Sequence, residues 1–150
     1  MNYHKLLTEA IFASRFFASE EKSSYPSKPL RNLDFKPGDV LEVPFPFTDL
    51  SGFKTRPALV LAASKFDITV AYLSTHLSWQ CFEDMILLPS GENGLQSNSL
   101  LRTSKLFTIA PHIVFRKIGK VSQADLQAAL WCVKSYFSAP PWPAPEEPTN

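Results

Sequence analysis

The chain has 150 residues, 45% of them hydrophobic and 13% aromatic, which supports one domain with a proper core and argues against intrinsic disorder. The formal net charge of +1 excludes neither a nucleic-acid partner nor an acidic one, because such binding depends on a local patch. Cys81 and Cys132 lie far apart in dissimilar contexts, so neither a disulfide framework nor a thiolate metal site is indicated. The N-terminus lacks a signal-peptide pattern and no segment approaches membrane-spanning length, so we expect a cytoplasmic protein without membrane contact.

Composition divides the chain into three parts. Residues 1–34 are predicted to form an extension, with an amphipathic helix over about residues 3–21 followed by a proline- and serine-containing linker. The main domain is expected over residues 35–137. Residues 138–150, "SAPPWPAPEEPTN", are too rich in proline to pack as a helix or strand, so we expect a polyproline-like or disordered tail.

The main domain is rich in strand patterns. "DVLEVPF" alternates, "RPALVLAAS" is nearly continuously apolar, and "ITVAYLST" is β-branched and aromatic. Shorter candidates follow in "FEDMILLPS", "SLLRTSKLFTI" and "HIVFRKIGKV". Five or six short strands in roughly 100 residues predict a small, curled, mostly antiparallel sheet or barrel, because closure removes exposed sheet edges.

The spacing of the apolar residues changes to that of a helix after the last strand. In "SQADLQAALWCVKSYF", Ser122 can cap a helix and Asp125 occupies the third helical position. One face of this C-terminal helix is predicted to be apolar and consists of Leu126, Ala129, Leu130, Val133 and Phe137. The predicted fold class is therefore α+β, mainly β with helices at both ends.

The segment between the first two strands carries more polar groups than a turn needs. It holds several hydrogen-bonding side chains, namely Thr48, Asp49, Ser51, Lys54 and Thr55. Arg56 follows at the start of the second strand, directly before Pro57. A rigid sheet at that point can hold a functional side chain in a fixed position. An ordinary solvated arginine beside a turn is the alternative interpretation.

Two further strands contribute polar groups. Ser74 and Thr75 end the third strand, where hydroxyls also serve as turn formers, and Arg102 and Ser104 alternate in the fifth strand, so they are predicted to share a face. Two arginines and several hydroxyls, with no carboxylate, can bind a phosphate without a metal. The histidines lack the paired spacing of metal ligands and no phosphate-binding glycine loop is present, so we expect neither a metal nor a cofactor.

Four segments in order, "PGDVLEVPFPFTDLSGFKTRPALVL", "VAYLST", "LLRTSKLFTI" and "RKIGKVSQADLQAAL", resemble the PemK/MazF (Kid) toxins of type II toxin-antitoxin systems. The resemblance spans residues 36–137. It implies an SH3-like barrel and a homodimer whose two subunits frame an RNA groove. It also implies a cognate antitoxin that inserts a peptide into that groove, and a mobile first loop over residues 46–56 that closes beside the RNA.

The resemblance further implies a metal-independent, sequence-selective endoribonuclease, an mRNA interferase, that acts on single-stranded RNA. The RNA 2′-hydroxyl would attack the adjacent phosphate and the 5′-oxygen would leave, giving 2′,3′-cyclic phosphate ends. DNA lacks the attacking hydroxyl.

By position, the resemblance implies roles for individual residues. Arg56 corresponds to the arginine that contacts the scissile phosphate and takes part in acid-base work, Ser74 or Thr75 to the strand-end hydroxyl that binds the reacting group, and Arg102 to the general acid of the Kid-like branch. Ser104 stands where that branch has an aspartate base, and a neutral serine is a poor proton acceptor. The expected substrate-binding residues are Thr48, Asp49, Ser51, Lys54, Thr55, Thr75, Ser104 and Lys105.

Other interpretations stay open at this point. A barrel with Ser104, a near-neutral charge and an added extension could bind protein or nucleic acid without cutting it, or the scaffold could serve another nucleic-acid process, since fold alone does not decide function. The extension could dock on the barrel, extend the dimer interface or occupy a groove otherwise covered by antitoxin. Its apolar stripe needs a cover, which motivates the hypothesis that it inhibits the barrel.

Overall fold

The structure is a computed structural model that describes residues 34–138. The predicted N-terminal helix and the proline-rich tail from residue 139 onward lie outside the described residues. Within them the chain forms six strands and a C-terminal helix: β1 (Asp39–Pro46), β2 (Phe53–Ala63), β3 (Ile68–Ser74), β4 (Met85–Leu87), β5 (Ser99–Ile109), β6 (Arg116–Lys120) and α1 (Gln123–Ser138).

The strands make one antiparallel sheet in the order β4-β5-β3-β2-β1-β6. The predicted curled antiparallel sheet is therefore confirmed. Strand β4 has three residues, fewer than its apolar pattern predicts. The chain turns away directly after it because Asn93 donates to the carbonyl of Leu88 (2.8 Å) and accepts from the backbone N–H of Ser90 (3.0 Å).

The segment after β4 also reaches the far edge of the sheet. Its Glu92 carbonyl accepts a hydrogen bond from the backbone N–H of Lys120 at 2.8 Å. Gly94 has a φ of +69°, and a Cβ there would overlap the carbonyl of Ile118, so a side chain would prevent this approach. The contact joins the segment after β4 to the edge strand β6, and the curled sheet is thus a half-barrel.

The sheet has one apolar cluster on each face, as strand alternation requires. The cluster on the first face is built mainly from β1, β2 and β3 and includes Leu41, Val43, Phe45, Ala58, Val60, Val70 and Tyr72. The cluster on the second face lies beneath α1 and includes Val40, Leu59, Ala71, Leu101, Leu126 and Ala129.

Helix α1 begins as predicted. Ser122 Oγ accepts from the backbone N–H of Asp125 (3.0 Å) and donates to its carboxylate (2.8 Å). Phe137, on the predicted apolar face, is 68% exposed, because the cluster beneath the helix ends at Val133. No helix in residues 34–138 is long and apolar enough to cross a membrane.

Two ion pairs join β6 to β1. Lys117 Nζ lies 2.6 Å from Oδ1 of Asp39, whose carboxylate is buried. Arg116 Nε donates to Oε2 of Glu42 at 2.6 Å in an exposed pair, and this bond together with the charge of Glu42 raises the pKa of Arg116. These contacts hold the edge strand β6 to the sheet.

The β1–β2 hairpin is longer than predicted. Pro46 pairs with Phe53 and Val43 pairs with Arg56, so the turn comprises residues 47–52 only. The backbone N–H of Phe47 donates to the carbonyl of Gly52 (2.8 Å), which closes the hairpin at that point. The expectation of a loop over residues 46–56 is therefore wrong at its C-terminal end, and Arg56 is held by strand pairing.

Candidate active site

Strand register brings the three predicted catalytic residues to one region of the first face. Ala58 on β2 pairs with Tyr72 on β3, and Tyr72 pairs with Arg102 on β5. Arg56 lies two residues before Ala58, and Ser74 lies two residues after Tyr72. Because strands alternate faces with period two and these strands are antiparallel, Arg56 and Ser74 occupy the same end and the same face as the Tyr72–Arg102 pair.

Tyr72 lies at the centre of this arrangement and was not among the predicted site residues. Its ring centroid is 5.8 Å from Cζ of Arg56 and 5.7 Å from Nζ of Lys105, two cation-π contacts on one ring. Phe45 packs against the same ring with centroids 5.1 Å apart. The buried tyrosine thus orients two cations. The sequence could have indicated Tyr72, because it lies two residues before Ser74 in an alternating strand and therefore shares its face.

A bulge in β5 explains how Lys105 reaches Tyr72. Ala71 pairs with Leu106 but Tyr72 pairs with Arg102, so β5 carries three extra residues between these two pairs. The bulge interrupts the alternation from which a shared face for Arg102 and Ser104 was predicted. Arg102 is buried and Ser104 is exposed.

A carboxylate lies beside Arg102, so the expectation of a site without one is wrong. Oδ2 of Asp84, just before β4, is 2.9 Å from Nε of Arg102, although this N–H is poorly aligned for a hydrogen bond. Oδ2 also accepts from the backbone N–H of Cys81 (3.0 Å), and Oδ1 accepts from the backbone N–H and the hydroxyl of Thr103 (2.9 and 3.1 Å). Spacing along the chain could not reveal this contact, because Asp84 and Arg102 are brought together by the pairing of β4 with β5.

The two arginines therefore differ in charge environment. The side chains of Arg102 and Asp84 are 11% and 1% exposed, so the ion pair is almost inaccessible to water and its two charges compensate each other. Arg56 and Lys105 are half-buried and present positive charge at the surface of this face. Ser74 Oγ accepts from the backbone N–H of His76 (3.1 Å), which leaves the hydroxyl proton as a donor.

The remaining predicted substrate-binding residues lie at different places. Thr48, Asp49 and Ser51 are in the exposed hairpin turn, where Oδ1 of Asp49 accepts from the backbone N–H and the hydroxyl of Ser51 (3.0 and 2.7 Å). By strand alternation, Lys54 lies on the same face of the sheet as Arg56, whereas Thr55 lies on the opposite face. Thr75 is exposed just beyond β3.

The arrangement can bind an anion through guanidinium, ammonium and hydroxyl groups. In residues 34–138 no group of three or more His, Cys, Asp or Glu side chains is placed to hold a metal ion. The fold is a small antiparallel half-barrel with Arg56 and Lys105 on one face and a C-terminal helix on the opposite face.

Residues 36–137 match the PemK-like, MazF-like toxin of type II toxin-antitoxin system family, and the chain belongs to that family. The resemblance read from the four sequence segments is confirmed. A search of curated proteins finds no match to the chain.

Solved structures share the fold. The Mycobacterium tuberculosis toxin MazF-mt6 aligns with a TM-score of 0.54 at 20% identity, over 67% of this chain and 96% of its own. A mycobacterial endoribonuclease in complex with its cognate antitoxin aligns with a TM-score of 0.55 at 14% identity, over 71% of this chain and 97% of its own. A further mycobacterial endoribonuclease aligns with a TM-score of 0.51 at 15% identity, over 71% of this chain and 92% of its own.

Proposed function

We propose that this toxin-family protein is a metal-independent, sequence-selective endoribonuclease, an mRNA interferase, that cuts single-stranded RNA and leaves 2′,3′-cyclic phosphate ends. The observation that carries the proposal is the strand register that gathers Arg56, Ser74 and Arg102 around Tyr72 on one face. The endoribonucleases among the solved structures with this fold support it.

The chemistry needs stabilisation of charge more than a strong base. As the RNA 2′-hydroxyl attacks, negative charge builds on the phosphate oxygens, and Arg56 with Lys105 would bind them. The hydroxyl of Ser74 would donate a hydrogen bond to the same group. The attacking 2′-hydroxyl would release its proton to solvent water, and the guanidinium of Arg56 would give a proton to the strongly basic departing 5′-oxygen. Solvent would then return a proton to Arg56, so that no net proton is gained or lost. Asp84 is committed to Arg102 and Thr103, and we assign it no proton-transfer role.

The partners follow from the same proposal. A cognate antitoxin would neutralise the toxin by inserting a peptide into the RNA groove, and two copies of the chain would frame that groove in the cytoplasm. The mycobacterial endoribonuclease solved with its antitoxin supports this arrangement. If the extension of residues 1–34 inhibits the protein, its deletion would raise cleavage or antitoxin affinity.

A binding protein without cleavage is the second candidate. It is favoured by the burial of Arg102 and by its compensation by Asp84, which weaken Arg102 as a general acid. In that case Arg56 and Lys105 would bind RNA or an acidic protein segment on the same face.

The test is incubation of the full chain with a long single-stranded RNA in EDTA, followed by mapping of fragment ends. We expect discrete cuts with 2′,3′-cyclic phosphate ends, reduced about 100-fold or more by Arg56→Ala. Lys65→Ala, at an exposed cation on the β2–β3 turn, is the matched control and keeps full cleavage. Intact RNA with a folded wild-type protein would favour the binding protein.

A further inference from the structure

The loop between β3 and β4, residues 75–84, exposes aromatic rings beside the candidate active site; we call it the aromatic loop. We infer that its rings form a stacking platform for unpaired nucleobases next to the scissile phosphate. This inference rests on the proposed function, because it assigns a subsite for the same RNA.

The rings of the aromatic loop face solvent. Phe82 is 99% exposed and Trp79 is 53% exposed, while the His76 ring stacks on Trp79 with centroids 4.8 Å apart and 29° between planes. Trp79 and Phe82 are three residues apart in the chain, and a patch of exposed apolar rings is typical of an interaction site. Every base offers a π-face to such rings whatever its sequence.

The aromatic loop is anchored to the active site at both ends. At its start the backbone N–H of His76 donates to Oγ of Ser74 (3.1 Å). At its end the backbone N–H of Cys81 donates to Oδ2 of Asp84 (3.0 Å), and Nη2 of Arg102 lies 3.9 Å from Sγ of Cys81. Between them, Leu77–Trp79 form a 3-10 turn. The platform is thus held by two of the residues expected at the phosphate.

The aromatic rings and the proposed phosphate-binding cations lie on different segments of the chain. Residues 75–84 contain no lysine or arginine, so the aromatic loop has no cation of its own to attract a phosphate. Positive charge comes instead from Arg56 and Lys105 on the sheet. A single RNA strand matches this division, since its phosphates would meet the cations while its splayed bases stack on the rings.

The test uses Trp79 as the single tryptophan, with Trp131→Phe and Trp142→Phe, and with Arg56→Ala to prevent cleavage. The probe is a short single-stranded RNA of mixed sequence, and the control probe is a ribose-phosphate oligomer of the same length without bases. We expect the RNA to quench Trp79 emission and the abasic oligomer to leave it unchanged.

Cleavage assays with the native Arg56 complete the test. Because Trp79 and Phe82 are exposed, alanine at either position leaves the core intact, and we expect KM for RNA to rise about tenfold per lost ring while kcat stays within about twofold. Trp131→Ala, at an exposed ring on α1, is the control and leaves KM unchanged.

The outcomes separate the two proposals. Normal cleavage by the Trp79→Ala, Phe82→Ala double variant, without RNA quenching of Trp79, would overturn the platform and leave the ribonuclease standing. Quenching by RNA without any cleavage would support the platform and remove the ribonuclease. Equal quenching by the abasic oligomer, or emission that shifts with protein concentration in the absence of RNA, would overturn the platform in favour of phosphate binding or contact with a second copy.

Discussion

Nε of Arg102 lies 2.9 Å from Oδ2 of Asp84, and both side chains are almost completely buried. The carboxylate also receives three hydrogen bonds, two from Thr103 and one from Cys81. It therefore joins the bulge of β5 to the end of the aromatic loop. Asp84 is a positioning residue, because its contacts orient Arg102 and the strand that carries Lys105 while its own oxygens are occupied.

Asp84→Asn should lower the free energy of unfolding by about 3–5 kcal/mol, because it leaves the Arg102 charge buried without its partner. Urea unfolding measures the change. Asp67→Asn, at an exposed aspartate on the β2–β3 turn, is the control and should stay within about 0.5 kcal/mol of wild type.

Adding Arg102→Met to Asp84→Asn should recover part of the lost stability, since the orphaned charge is removed together with its site. A double variant that is no more stable than Asp84→Asn alone would show that the ion pair is not the source of the loss.

Tyr72→Leu should reduce RNA cleavage about tenfold, because Arg56 and Lys105 both lose the ring on which they converge, at about 0.5–1 kcal/mol for each cation-π contact. Tyr72→Phe keeps the ring face and should retain most activity. Initial cleavage rates of the two variants measure the difference, and thermal unfolding checks that both are folded. Equal loss in both would point to the phenol hydroxyl instead.

Asp39→Asn should destabilise the fold by about 1–2 kcal/mol. It removes the charge that pairs with Lys117 at 2.6 Å and weakens the bond from the backbone N–H of Lys36 (3.0 Å), and exposure of Lys117 limits the loss. Chemical denaturation gives the value. Asp34→Asn, which breaks only an exposed pair with Lys36, is the matched control and should have an effect near zero.

Burial, followed by the negative charge of Asp84, raises the pKa of the Cys132 thiol. In a Cys81→Ser variant, the pH midpoint for alkylation of the folded protein should lie above that of the urea-unfolded chain, which is about 8.5. Asp84→Asn should move the folded midpoint downward. Iodoacetamide labelling followed by mass spectrometry measures both midpoints, and identical folded and unfolded values would contradict the shift.

The same pKa shift predicts the sign of a stability change. Above the unfolded pKa of about 8.5 the native state keeps the Cys132 proton that the unfolded chain releases, so the native state binds more protons and stability falls as pH rises. Below that pH this contribution is fully present. Cys132→Ala should flatten the alkaline side of the stability profile, which unfolding at several pH values would show.

Local patterns were sufficient for most of the fold. The apolar alternation placed the strands, Ser122 marked the start of α1, and four ordered segments indicated the family that residues 36–137 match. These features depend on neighbours within a few residues, so the sequence contains them directly. The limits of β2 differed from the prediction, and the apolar pattern of α1 did not reveal that Phe137 is exposed, because hairpin pairing and the extent of the underlying cluster are not local properties.

By itself, the sequence determined which polar residues were candidates, Arg56, Ser74 and Arg102 among them. Only the tertiary structure decided what surrounds them: Tyr72 between two cations, the β5 bulge that brings Lys105 to it, and the pairing of Asp84 with Arg102. The physical reason is that side chains from different strands meet through register and bulges. Register depends on the packing of whole faces and not on the spacing of residues along one strand.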